Sequence, residues 1–146
     1  VFFIDINKIV NDSNVGSNLN KSLENKLKKE LKKFSVIEEN LKKEEKLIKS
    51  QSNILSKEEL NDKIKDYRVK LTDYNKNKQN FQAGIAEEKI KSTNKLLKKL
   101  NDILTKYANE NSISMIIQKD KIVIGKKELD ITEKILKIFD NQVKKL

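Results

Sequence analysis

The run Leu27-Lys28-Lys29-Glu30-Leu31-Lys32-Lys33-Phe34, carried on through Val36-Ile37-Glu38-Glu39-Asn40-Leu41 to Ile48, decides the fold. Leu27, Phe34, Leu41 and Ile48 recur every seven residues, and Leu23, Leu31 and Ile37 fill much of the row between them. Apolar residues at that interval stay on one side of an α-helix and require a partner helix to cover them. The spacing predicts a helix from Leu19 to about Lys49, capped by Ser17 or Asn18. The stripe weakens where Glu44 stands in the slot matching Ile37, and Ser50-Gln51-Ser52-Asn53-Ile54-Leu55 interrupts it.

The partner begins at Ser56-Lys57-Glu58-Glu59, which has the form of a capping box: the serine accepts from a free backbone N–H and Glu59 reaches back. Leu60, Ile64, Tyr67, Leu71, Tyr74, Lys78, Phe81 and Ile85 then follow alternating spacings of four and three. Ala86, Ile90, Thr93, Leu97, Leu100, Leu104 and Tyr107 repeat that pattern one residue out of phase, which predicts a rotation of the stripe beside Gly84. Two long helices joined by a few residues run antiparallel as a helical hairpin. At 1.5 Å per residue the first spans ~45–50 Å and the second ~75 Å, so either the second continues past the first or the first begins before Leu19.

Strand-like segments flank this hairpin. Val1-Phe2-Phe3-Ile4-Asp5-Ile6 is β-branched and aromatic; Ile113-Ser114-Met115-Ile116-Ile117 and Lys121-Ile122-Val123-Ile124-Gly125 follow the second helix, with Lys119-Asp120 as a tight turn between them. Asn7 to Asn11 reads as a turn or short helix, and Asn11 to Gly16 as a loop. Leu129-Asp130-Ile131-Thr132 leads into an amphipathic helix from Glu133, with Thr132 as its cap and Lys144 and Lys145 suiting its C-terminal dipole. The expected class is α+β, mostly α: a small antiparallel or mixed sheet body over 1–16 and 108–146, with a coiled-coil hairpin arm inserted over 17–107 and its tip near 50–56. All three strands carry apolar residues on both faces. Too little chain remains to cover them, and large bare apolar patches are rare on monomers. Self-association through Phe2, Phe3, Ile4, Met115, Ile116, Ile117, Ile122, Val123 and Ile124 is therefore expected.

The chain of 146 residues carries a net charge of +10 without a single histidine, cysteine or proline. Residues 17–110 hold 23 basic and 15 acidic side chains against 9 and 7 in the remainder, so the hairpin carries most of the excess. Such a surface attracts acidic partners: acidic polypeptide, lipopolysaccharide, anionic lipid or nucleic acid. Lacking the commonest general base and the thiolate nucleophile, the sequence offers no catalytic constellation, and no metal or cofactor is expected. Gly125-Lys126-Lys127 lacks the upstream glycine and following hydroxyl of a phosphate-binding loop. No apolar run approaches the ~20 residues that span a bilayer.

Read together, Ile4-Asp5-Ile6-Asn7-Lys8-Ile9 at the start, Val15-Gly16-Ser17-Asn18-Leu19 leading into Leu27, Tyr107-Ala108-Asn109-Glu110 before the later strands, and Leu129-Asp130-Ile131-Thr132-Glu133-Lys134-Ile135-Leu136 near the end resemble the Skp/OmpH family of periplasmic chaperones. The resemblance covers nearly the whole chain. It departs at Ile122-Val123-Ile124, where the family often has Ala or Tyr. What it implies is a homotrimer that holds unfolded outer-membrane β-barrel proteins, without ATP, in a cavity between helical arms. The location implied is the periplasm, with a signal peptide removed ahead of Val1. A chaperone of that type needs adaptable apolar surface together with long-range attraction. Phe34, Leu41, Ile48, Ile54, Leu55, Tyr67, Tyr74 and Phe81 are the candidates for client contact. Lys42, Lys43, Lys46, Lys49, Lys57, Lys63, Lys65, Arg68, Lys70, Lys76 and Lys78 would speed encounter with acidic clients and could meet lipopolysaccharide or anionic lipid.

Against each assignment stands a plainer one: the apolar stripe packs within the hairpin, and the lysines are a solvated face with i,i+4 pairs to glutamates. A basic coiled coil that binds nucleic acid or acts as a scaffold is the alternative function. Interleaved acids and the lack of a base-reading motif weigh against it, so no nucleic acid is expected. A membrane-surface helix is disfavoured by the narrow stripe and the absence of Trp.

Overall fold

The computed structural model describes residues 1–146, and its element order is β1 (Phe2–Ile4), α1 (Ile6–Asp12), α2 (Asn14–Gln51), α3 (Lys57–Glu110), β2 (Ile116–Gln118) and α4 (Thr132–Gln142). The chain is mostly helical, at 79%. Residues 1–23 with 88–146 form one compact unit and residues 24–87 another.

In the first unit the sheet has two strands, and they are parallel: Phe2 pairs with Ile116, Phe3 with Ile117 and Ile4 with Gln118. This corrects the antiparallel or mixed three-stranded expectation. β1 is paired on both sides, because the Ile131 N–H donates to the Phe3 carbonyl at 3.0 Å and Asp130 bridges Phe3 beyond the reach of β2. No edge of β1 is left for Lys121–Gly125. Lys121–Gly125 does not form a hairpin with β2 either: past the 3-10 turn at Lys119–Lys121 the chain leaves the sheet, which holds only β1 and β2, and Val123 and Ile124 stand in solvent. Both faces of β1 are covered, with Phe3 7% and Ile4 1% exposed. Ile4 packs into a core with Ile9 of α1, Leu96, Leu100 and Ile103 of α3, and Ile131, Ile135 and Phe139 at α4.

Polar groups fix the joints of this unit. Asp5 caps α1 by accepting from the Lys8 N–H. The expected loop over 11–16 is a single extended residue, Ser13, whose fully buried hydroxyl accepts from the Gly16 N–H; α2 therefore starts at Asn14, ahead of Ser17 and Asn18. Asn, Ser and Gly favour caps for the same reason they favour loops, so composition did not separate the two. α3 ends in a Schellman motif, with the Ile113 N–H donating to Ala108 and the Ser112 N–H to Asn109, and Ser112 takes the left-handed position at φ 52°. Thr132 does not cap α4. Its hydroxyl accepts from the Asp5 N–H and donates to Asp130, pinning the end of β1 to the start of α4.

In the second unit the capping box is formed: the Glu59 N–H donates to the Ser56 hydroxyl and the Ser56 N–H to the Glu59 carboxylate. Glu38 meets Tyr74, Glu44 meets Lys70 and Gln51 meets Lys63, so the segments run antiparallel. Phe34, Leu41 and Tyr74 form a small buried cluster with Tyr67 and Phe81 against it. Along α3 the inward row passes through Phe81, Ile85, Glu88, Ser92, Leu96 and Leu100, while Ala86 and Ile90 face solvent. The phase shift thus falls between Glu88 and Leu100, where three four-residue steps follow one another, and not beside Gly84.

Candidate functional site

The helical segments of the second unit carry the first candidate surface. Of the residues expected to meet a client, Phe34, Leu41 and Tyr74 are turned inward, and Tyr67 and Phe81 pack on them. Phe34 stacks edge-on with Tyr74 at 5.9 Å and with Phe81 at 6.0 Å between ring centroids. Ile48 and Leu55 are half-buried, and Ile54 in the tip is 80% exposed. The apolar side chains open to solvent are others: Val36, Leu47 and Val69 are more than half exposed, with Leu31, Ile37 and Leu71 somewhat less. Reading along the seven-residue row passed over Val36, Leu47 and Val69. They stand off the stripe, and that position is the signal that could have found them.

Charge divides in the same way. Lys42, Lys43 and Lys49 pair along α2 with Glu38, Glu39 and Glu45, and Lys70 reaches across to Glu44 at 2.9 Å. Lys63 donates to the Gln51 side chain, whereas Lys46, Lys57, Lys65, Arg68 and Lys76 form no ion pair. Tyr74 is held at its polar end: its hydroxyl donates to Glu38 at 3.0 Å and accepts from Lys78 at 3.3 Å, with the Lys78 ammonium 5.5 Å from its ring centre. The Tyr74 hydroxyl, followed by Lys42, holds the Glu38 carboxyl below the usual carboxylate range.

The second candidate surface lies on the first unit. Among the residues expected to self-associate, Phe3 and Ile4 are consumed by their own core, and Phe2, Ile116, Ile117 and Ile122 are half-buried. Met115 remains 54% exposed, Ile124 92% and Val123 fully. The Val123-Ile124 pair is held in place on both sides. The turn over Lys119–Lys121 precedes it, and Gly125 rests so close to Phe3 that an added β-carbon would stand 2.8 Å from the ring. Val123 and Ile124 are thus two bare apolar side chains on an anchored loop.

The first surface sets exposed apolar side chains among lysines, and the second exposes Met115, Val123 and Ile124. The chain belongs to the OmpH-like outer membrane protein family, whose sequence profile matches residues 1–139. Among solved structures it is similar to a protein of Caulobacter crescentus CB15 described as an outer membrane chaperone (OmpH-like), with a TM-score of 0.89 at 15% identity over 99% of this chain and 86% of that one. No curated protein sequence matches significantly. No helix is long and apolar enough to cross a membrane.

Proposed function

We propose that this chain is an ATP-independent holdase of the periplasm, which assembles as a homotrimer and keeps unfolded outer-membrane β-barrel proteins from aggregating in a cavity between its basic helical arms. One observation carries the reading: the second unit leaves Val36, Leu47, Ile54 and Val69 open to solvent and the cations Lys46, Lys57, Lys65 and Arg68 without ion pairs. A holdase binds chains without fixed structure, so it gains from scattered apolar side chains that form no single pocket. Unpaired lysines draw acidic stretches in over a Debye length of about 8 Å at physiological salt. The same cations suit lipopolysaccharide or anionic lipid headgroups. Family membership supports the reading, and Met115, Val123 and Ile124 supply the apolar surface that assembly would cover.

The test dilutes a urea-unfolded outer-membrane β-barrel protein into buffer with and without the chain while light scattering is followed. Suppression at three chains per client is the expected result, and undiminished scattering counts against the holdase. Molar mass in solution should be three times the 17.0 kDa of one chain. Val123→Ser with Ile124→Ser should lower it to one chain with helicity retained.

A further inference from the structure

The two flanks of the seam between the α2 and α3 segments of the second unit are chemically different. One is closed by charged groups: the Tyr74 hydroxyl donates to Glu38, Lys42 pairs with the same carboxylate at 3.4 Å, and Lys78 covers the Tyr74 ring. The other is an open groove with Leu41 and Tyr74 as its apolar base and Ile37, 43% exposed, on its wall. Asn40 and Asn77 reach it from opposite helices as neutral, exposed amides. Glu44 and Lys70 also line it but neutralise each other at 2.9 Å, which leaves Asp73 as the one unpaired charge.

From this asymmetry we infer that the groove is the face of the hairpin that grips a client, and that its occupant is an extended, unfolded segment that places an apolar or aromatic side chain over Leu41 and Tyr74. The inference rests on the holdase reading and deepens it. A side-chain amide carries both a donor and an acceptor, so Asn40 and Asn77 match the N–H and C=O of an unpaired peptide backbone. Asp73 sets the local charge preference: a neutral or cationic residue beside the inserted side chain is accepted and an acidic one repelled. Unpaired lysines elsewhere act at long range, whereas the groove selects at contact.

The sequence supplies a matched control. Ile37 stands seven residues before Glu44, on the groove flank, and Leu31 stands seven before Glu38, on the closed flank; the two are 43% and 44% exposed. Ile37→Ser should weaken retention of a urea-diluted outer-membrane protein by roughly tenfold, the size expected for losing one aliphatic contact, while Leu31→Ser stays within about twofold. Two short labelled peptides, each with a central Phe and flanked by either Lys or Asp, are titrated by fluorescence anisotropy against the whole protein. The Lys-flanked peptide should bind more tightly and lose that advantage in Asp73→Asn. Equal losses from Ile37→Ser and Leu31→Ser, or no preference between the peptides, overturn the groove while leaving the holdase standing. Tight binding of the Lys-flanked peptide that Ile37→Ser abolishes, in a protein that fails to suppress aggregation, upholds the groove and removes the holdase.

Discussion

The carbonyl oxygen of Val10 lies 1.8 Å from the point a β-carbon on Gly16 would occupy, so only glycine fits where α1 hands the chain to α2. Gly84, inside α3, has nothing within 4 Å of the same point. The pair gives opposite signs for one substitution. Gly16→Ala should cost about 2 kcal/mol or more, because backbone must move to admit the methyl group. Gly84→Ala should stabilise by about 0.5–1 kcal/mol by reducing the freedom of the unfolded chain. Urea midpoints with unchanged slopes decide both.

Ser112 supplies a third backbone test. It occupies the left-handed position of the Schellman motif that ends α3, at φ 52°, where a β-carbon is penalised. Ser112→Gly should raise stability by about 0.5–1 kcal/mol, and Ser112→Val should lower it by at least as much. A neutral result for the glycine would mean that the serine side chain compensates locally.

These positions mark what the sequence could and could not convey. Pairing near Phe34 and Leu41 was legible because a two-helix seam requires only apolar residues a fixed interval apart, and the Ser56–Glu59 capping box because both partners are local. Ile122-Val123-Ile124 has the composition of a strand, but pairing is decided by which edges are open, and Asp130 occupies the second edge of β1. Thr132 stands where a cap belongs, yet a distant N–H, that of Asp5, claims its hydroxyl. On the candidate surface Ile54 was legible from its place in the tip. Val36, Leu47 and Val69 were not, since a seven-residue spacing marks only the stripe and a two-helix seam leaves to solvent what lies off it.

Asp130 makes stability depend on pH. Its burial favours the neutral acid, but the hydrogen bonds from Lys119 at 2.7 Å and from Thr132 outweigh that and hold the carboxyl below its ordinary range. A group whose folded pKa is depressed stabilises the fold above its unfolded pKa of about 4, and that contribution disappears as pH falls through the folded value. The urea midpoint should therefore decline below about pH 4. Asp130→Asn should be less stable at pH 7 and decline less steeply, and parallel curves would remove the assignment.

Thr132, only 3% exposed, holds the same junction from its other side. Thr132→Val keeps the shape but leaves the Asp5 N–H without an acceptor, which should cost about 1–3 kcal/mol. Thr132→Ser retains the hydroxyl and should recover most of the loss. Equal loss in both variants would assign the effect to packing of the methyl group.

Phe34 separates the two cores. Its ring is 6% exposed and meets only Tyr74 and Phe81 among the aromatics, whereas Phe139, fully buried, belongs to the core around Ile4, Ile9 and Leu100. Truncating a buried Phe to Ala costs about 3–5 kcal/mol wherever the cavity cannot collapse. The small cluster of Phe34, Leu41 and Tyr74 has few other apolar groups to share that loss. Hydrogen exchange in Phe34→Ala should accelerate at the amides of 30–45 and 67–81 and remain slow at Leu100, Ile135 and Phe139. Phe139→Ala should do the reverse, opening α4 while the amides around Leu41 stay protected. Matching acceleration at both sets of amides in either variant would mean that the cores unfold as one cooperative unit.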